Sequence, residues 1–272
     1  MATRYDGSRA GKVRQACDDE SCRRPYLSRM DDLQIPEELP DAEGVRHEHP
    51  DVTGGWLRPT VFGAMDGLVS NFALIMGVTG GTTDPEPVVI AGLAGLAAGA
   101  FSMAAGEYTS VASQRELAEE QVAAERREIR DNGRAEEAEL AAMFVDKGVD
   151  EDVARVVAQQ IHRDPETAVA VHAQEEMGID VDELASPWTA AFSSFLAFAV
   201  GALIPLLPLM LGVTSSWPTI GLSLVALFAC GAVVTRITSR SWWFGGVRQL
   251  VLGGAAAGLT YLIGEAIGSR IG

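Results

Sequence analysis

Leu184–Thr235 reads LASPWTAAFSSFLAFAVGALIPLLPLMLGVTSSWPTIGLSLVALFACGAVVT, 52 residues without one charged side chain. A helix that crosses a bilayer needs roughly 20 apolar residues, since each rises about 1.5 Å through a hydrocarbon core about 30 Å thick. The stretch is long enough for two spans. Thr214-Ser215-Ser216-Trp217-Pro218 marks the turn between them, loop formers around an interfacial aromatic. Working outward, Gln249–Gly264 is charge-free and extends to a span ending near Ile267. Pro87–Gly106 is charge-free too, and Leu57–Gly81 is interrupted only by Arg58 at its edge and Asp66 inside. Five spans follow, at about 57–81, 88–113, 188–212, 219–236 and 249–268. The expected fold is an all-α membrane protein with five transmembrane helices and a helical insert between spans 2 and 3.

The charge of the 272-residue chain, −16 in total, is segregated accordingly. Residues 1–58 hold 12 acids and 9 bases, and residues 114–187 hold 20 acids and 8 bases. Elsewhere the only acids are Asp66, Asp84, Glu86, Glu107 and Glu265, and the only bases Arg236, Arg240, Arg248 and Arg270. A soluble globule spreads charge over its whole surface, so that class is excluded. An acidic chain without a basic stripe is also no partner for nucleic acid. The organisation expected is a tail over 1–55, spans 1–2 over 56–113, a soluble insert over 114–187 and spans 3–5 over 188–272.

Lys and Arg set the orientation. They fall in the tail, the insert and the 237–248 link, whereas the loops at 82–87 and 213–218 have none. The tail, insert and link are therefore expected in the cytosol and the C-terminus outside, with only Arg270 dissenting. The tail is polar and aperiodic, reads as mostly disordered, and has no apolar segment resembling a signal peptide. Its Cys17 and Cys22 are open to metal binding or simply reduced and idle; with Cys230 inside a span, no disulfide framework is expected. Glycines at close-packing spacing (Gly63/Gly67, Gly95/Gly99, Gly254/Gly258 and Gly264/Gly268) favour tight helix contacts in lipid.

Within the insert, no Gly or Pro occurs between Gly106 and Gly133, so span 2 continues as one helix to about Arg130, broken by Asp131-Asn132-Gly133. Arg134–Asp146 and Asp150–His162 read as further helices, and Pro165 opens a last one that Gly178 ends. Glu125/Glu128 and Glu136/Glu139 share faces at a spacing of three, and His172/Glu176 at a spacing of four. Carboxylates and an imidazole gathered from several helices are what a divalent iron, manganese or zinc site needs. Glutamate-rich helices are more often solvated faces, so spacing alone leaves both readings open. In the membrane, Asp66 costs a few kcal/mol to insert and marks an ion or proton path. Met103 is either a soft thioether ligand or packing filler; Glu107, one turn away, is a path or an interfacial residue.

Phe62-Gly63-Ala64-Met65-Asp66-Gly67-Leu68-Val69-Ser70, with Met76-Gly77-Val78, resembles the first span of the vacuolar iron transporter family. Ser102-Met103-Ala104-Ala105-Gly106-Glu107-Tyr108-Thr109-Ser110 resembles its second, and Gly201-Ala202-Leu203-Ile204-Pro205-Leu206-Leu207-Pro208 its third. The resemblance covers about 55–270. It implies a homodimer that exchanges cytosolic Fe²⁺ for protons; carboxylates and one thioether do not distinguish Mn²⁺ or other divalent metals from it. It also implies that the insert binds metal through Glu125, Glu128, Glu136, Glu139 and Glu176, and that Asp66 and Met103 line the path in the membrane. His172 stands where plant members have methionine, which would make binding pH-dependent. Met65 stands where many members have asparagine.

Two rivals differ in class. A di-iron oxidase would need Glu-x-x-His pairs, but Gln159 and Val169 precede His162 and His172 at that spacing. A metal sensor signalling through the insert stays open. Only Lys12 and Lys147 are lysines against 19 arginines, a bias that points to a GC-rich bacterial genome and hence to a plasma membrane rather than a vacuole.

Overall fold

The computed structural model describes residues 55–237 and 241–271; the tail with Cys17 and Cys22, and Arg240, lie outside them. The described residues form seven helices and no strand: α1 Leu57–Gly81, α2 Pro85–Asp146, α3 Glu151–Ile161, α4 Pro165–Met177, α5 Pro187–Met210, α6 Ser216–Ile237 and α7 Trp242–Ile271. Helices α1, α2, α5, α6 and α7 are each long and apolar enough to cross a membrane, as the five charge-poor runs require.

Helix α1 is central, packing on α5, α7, α2 and α6. The contact with α5 is backbone to backbone: a Cβ on Gly63 would stand 2.8 Å from the Ser194 carbonyl oxygen, and one on Gly67 would fall on the Phe198 carbonyl. Gly264 and Gly268 of α7 approach Gly77 and Gly81 of α1 in the same way. Across that seam Thr260 Oγ1 donates to the Ala73 carbonyl at 2.6 Å. Gly95 and Gly99 serve differently, as notches on α2 that receive the side chains of Leu74 and Phe198. The expectation for Gly254/Gly258 is corrected. Among the described residues Gly258 meets nothing within 4 Å and Gly254 only the Leu224 side chain of α6 at 3.8 Å, so neither forms a backbone seam.

The fifth span begins earlier than its apolar run predicts, at Trp242 rather than 249. The first turn closes on Ser241, whose carbonyl accepts from the Phe244 and Gly245 N–H groups. Trp242 and Trp243 pack on each other and on Phe228. The Arg248 guanidinium lies 5.9 Å from the Phe244 ring, which lets a charged residue sit on this helix.

Helix α2 runs from the membrane segment straight into the insert. Asn132 has non-helical dihedrals (φ −132°, ψ 30°), a sharp kink where a break is expected. Helices α3 and α4 pack on the insert part of α2 and on each other, and among the described residues on nothing else. Two small apolar clusters hold them: Val122, Ile129, Ala168, Val169 and Ala173, and Leu140, Ala141, Ala154 and Ala158. Helix α4 is delimited as its sequence requires. The Asp164 carboxylate accepts from the Thr167 N–H, Pro165 fills the first turn, and Gly178 ends it at φ 67°.

Candidate functional site

Four insert residues converge. One ligand atom from each of Glu125, Glu136, His172 and Glu176 can be chosen so that all lie within 4.8 Å of one another, a separation at which one cation could touch all four. Glu125 and Glu136 stand eleven residues apart on α2, roughly 16 Å along a straight helix. They meet only because the kink at Asn132 turns the chain back. Helix α4 supplies the other two from adjacent turns, and the bidentate Arg126–Glu166 pair (3.2 and 2.7 Å) and the Lys147–Glu175 ion pair tie α4 in place.

The surroundings strain these groups electrostatically. His172 is fully buried, Glu125 and Glu136 nearly so, and Glu176 stays open at the mouth. His172 Nδ1 lies 2.7 Å from Glu176 Oε1 and 3.2 Å from Glu125 Oε1, yet Glu125 Oε1 makes no hydrogen bond. Burial first, then the Glu176 carboxylate, push Glu125 up to about 7; the nearby imidazole opposes this less strongly. Burial, and next the Glu139 carboxylate, also raise Glu136. Carboxylates held close in a dry site with an orphaned oxygen form a set that a divalent cation would satisfy.

Glu128 and Glu139 do not join the four. Both are exposed beside the cluster, close enough to act on Glu125 and Glu136 through their charge. Spacing of three along one helix did not distinguish the inward member of each pair from the outward one. His162 carried no expectation of its own. It packs its ring edge-on against His172 at 5.2 Å, with its Nε2 buried and unpartnered. It caps the C-terminal end of α3 and is half-buried, a position that carries no signal in the sequence.

In the membrane part, Asp66, Met103 and Glu107 line one cavity of about 490 Å³ between α1 and α2. Arg58, Glu107 and Ser110 stand at the end nearer the insert, and Asn71, Leu74 and Gly95 at the other. Asp66 and Met103 lie between, with Phe198 of α5 closing the back. Glu107, Met103, Gly99 and Gly95 are spaced by four on α2, so they form a single line along the wall. The residue that sequence reasoning passed over is Asn71, an uncharged polar side chain in an apolar run whose hydrogen-bond partner lies 131 residues away.

Residues 57–265 match the profile of the VIT family. The vacuolar iron transporter of Acanthamoeba castellanii is 35% identical over 83% of this chain and 84% of its own length. Vacuolar iron transporter homolog 5 of Oryza sativa subsp. japonica is 33% identical over 84% and 88%. Vacuolar iron transporter 1 of the same rice is 28% identical over 82% and 91%. With the match spanning all five membrane helices and the insert, the chain belongs to the VIT family.

Proposed function

We propose that this chain moves ferrous iron, with manganese as a second cargo, out of the cytosol in exchange for protons. What supports the reading most is that a single helix carries both sets of ligands. Glu125 and Glu136 of the cluster and Met103 and Glu107 of the cavity all belong to α2. Relatives named iron transporters share the family, and a thioether beside carboxylates suits a transition metal better than magnesium or calcium.

In this mechanism the acidic insert faces the cytosol and draws cations by its field. Glu125, Glu136, His172 and Glu176 bind the metal, with Glu128 and Glu139 as charges at the rim. The ion enters the cavity past Glu107 and reaches Asp66 and Met103. A carboxylate must lose its proton to bind metal, so protons arriving at Asp66 from the far side displace the ion and return inward. That competition is the basis of antiport. The arginines of the tail, the insert and the 237–248 link support an orientation with these segments in the cytosol. The resemblance adds a homodimer, and the bias of arginine over lysine a bacterial plasma membrane.

Asp66→Ala is expected to abolish iron flux into proteoliposomes under an imposed pH gradient, while the detergent-purified variant keeps its metal binding. Unchanged flux would refute the path.

A further inference from the structure

We propose that Asn71 is a further ligand of the membrane path, an inner station the ion meets after Asp66; the inference rests on the path proposed above. Asn71 is 2% exposed and lines the inner end of the cavity, one and a half turns beyond Asp66 on α1. Its amide is oriented by one contact: Nδ2 donates to the Ala202 carbonyl of α5 at 2.7 Å. A carbonyl only accepts, so the nitrogen must point to α5 and the oxygen away from it. Oδ1 is buried and has no hydrogen-bond partner.

A buried amide oxygen without a donor is unfavourable, and such a group in a native fold calls for an explanation. The wall opposite supplies one. Oδ1 faces Gly95 of α2, where a Cβ would stand only 3.0 Å away, and Gly99 one turn along is equally bare. Both glycines continue the line that runs through Met103 and Glu107. A cation moving along that line past Met103 comes to two glycines in succession, and the unpaired oxygen across from them is Asn71 Oδ1. Leu74 and Phe198 seat in the same two notches and close the end of the cavity, so an ion advancing there must displace apolar groups. An uncharged oxygen suits this position. It replaces a water of hydration by its dipole, has no proton to exchange, and lets the ion go more readily than a second carboxylate would.

The test uses the full chain in proteoliposomes, with initial iron flux measured over a range of metal concentrations at a fixed pH gradient. Asn71→Thr and Asn71→Val have the same shape and differ in one oxygen. Thr is expected to keep the maximal rate within about threefold, and Val to lose about tenfold or more at an unchanged half-saturating concentration. Equal maximal rates per folded protein in the two variants would overturn the inference. Should the Val variant fail to fold, Asn71→Asp decides: a carboxylate here is expected to lower both the half-saturating concentration and the maximal rate, and an unchanged or raised half-saturating concentration would overturn it. Asp66→Ala is run alongside. Flux that survives in Asp66→Ala refutes the path itself, whereas a dead Asp66→Ala with equal Thr and Val rates refutes only the role of Asn71.

Discussion

In the membrane bundle, Gly67 lies so near the Phe198 carbonyl that no side chain fits between α1 and α5; in the insert, Glu125 and Glu136 meet because one helix bends at Asn132. The two regions fix polar groups by different physics. Lipid offers no hydrophobic force between helices, so the bundle gains its rigidity from close backbone approach, and Asp66 and Met103 are held as firmly as the glycine seams hold α1 and its neighbours. In the insert, two small clusters of Ala, Val, Ile and Leu dock α3 and α4 on α2. Burial, and then mutual repulsion of its carboxylates, raise Glu125 to about 7 and also raise Glu136. One region positions its polar groups by close backbone packing; the other crowds carboxylates together at a bend.

The largest expected effect breaks the bundle alone. Gly67→Val would drive a side chain onto the α5 backbone, which cannot move aside as a side-chain tip could. A loss of about 3 kcal/mol or more, at the top of the range for overpacking, should appear as a lowered unfolding temperature in detergent. Since, among the described residues, α3 and α4 pack only on α2 and on each other, metal binding by the insert should survive. If it is lost as well, the two regions are not separable.

Next comes the kink. Asn132→Ala with Gly133→Ala favours a continuous helix and would draw Glu125 and Glu136 toward a spacing of roughly 16 Å. Metal affinity measured by calorimetry should drop by about a hundredfold, as for loss of two ligands, with the bundle's unfolding temperature unchanged. Unaltered affinity would mean that the bend does not build the site.

The smallest effect concerns protons. Glu125, ordinarily near 4.5, is pushed up to about 7, so the folded insert holds a proton that the unfolded chain has released. Its contribution to metal-free stability is therefore fully present below about pH 4.5 and declines as pH rises toward 7. Metal affinity runs the other way, weakening by up to about tenfold for each pH unit below 7 per displaced proton. Metal titrations followed by proton release on either side of neutrality should show more protons released on the acid side. Equal release at both would contradict the raised carboxyl.

Much of this was legible in the sequence for physical reasons. Charge cannot be hidden in hydrocarbon, so the runs without it had to be spans, and Asn132, Pro165 and Gly178 punctuate the insert because backbone geometry leaves little choice. What stayed hidden depends on distant partners. Glu125 and Glu128 are equivalent as spacing, and only α4 selects the former. Asn71 gains meaning from Ala202 and Gly95, neither near it in sequence. Gly254/Gly258 matches the spacing of Gly63/Gly67, but among the described residues no backbone approaches it closely. The start of α7 was masked by Arg248, whose charge is accommodated against the Phe244 ring.

The most direct test of a collecting insert feeding a membrane path is iron uptake against iron concentration, in proteoliposomes with a fixed outward proton gradient (acidic interior), for the wild type, Glu125→Ala with Glu136→Ala, and Asp66→Ala. The double variant should need about tenfold or more iron to reach half-maximal flux yet attain the wild-type ceiling, because only capture is impaired. Asp66→Ala should carry no flux at any concentration. A double variant with a normal half-saturating concentration, or an Asp66→Ala that still carries iron against the proton gradient, would contradict the division of labour between the two regions.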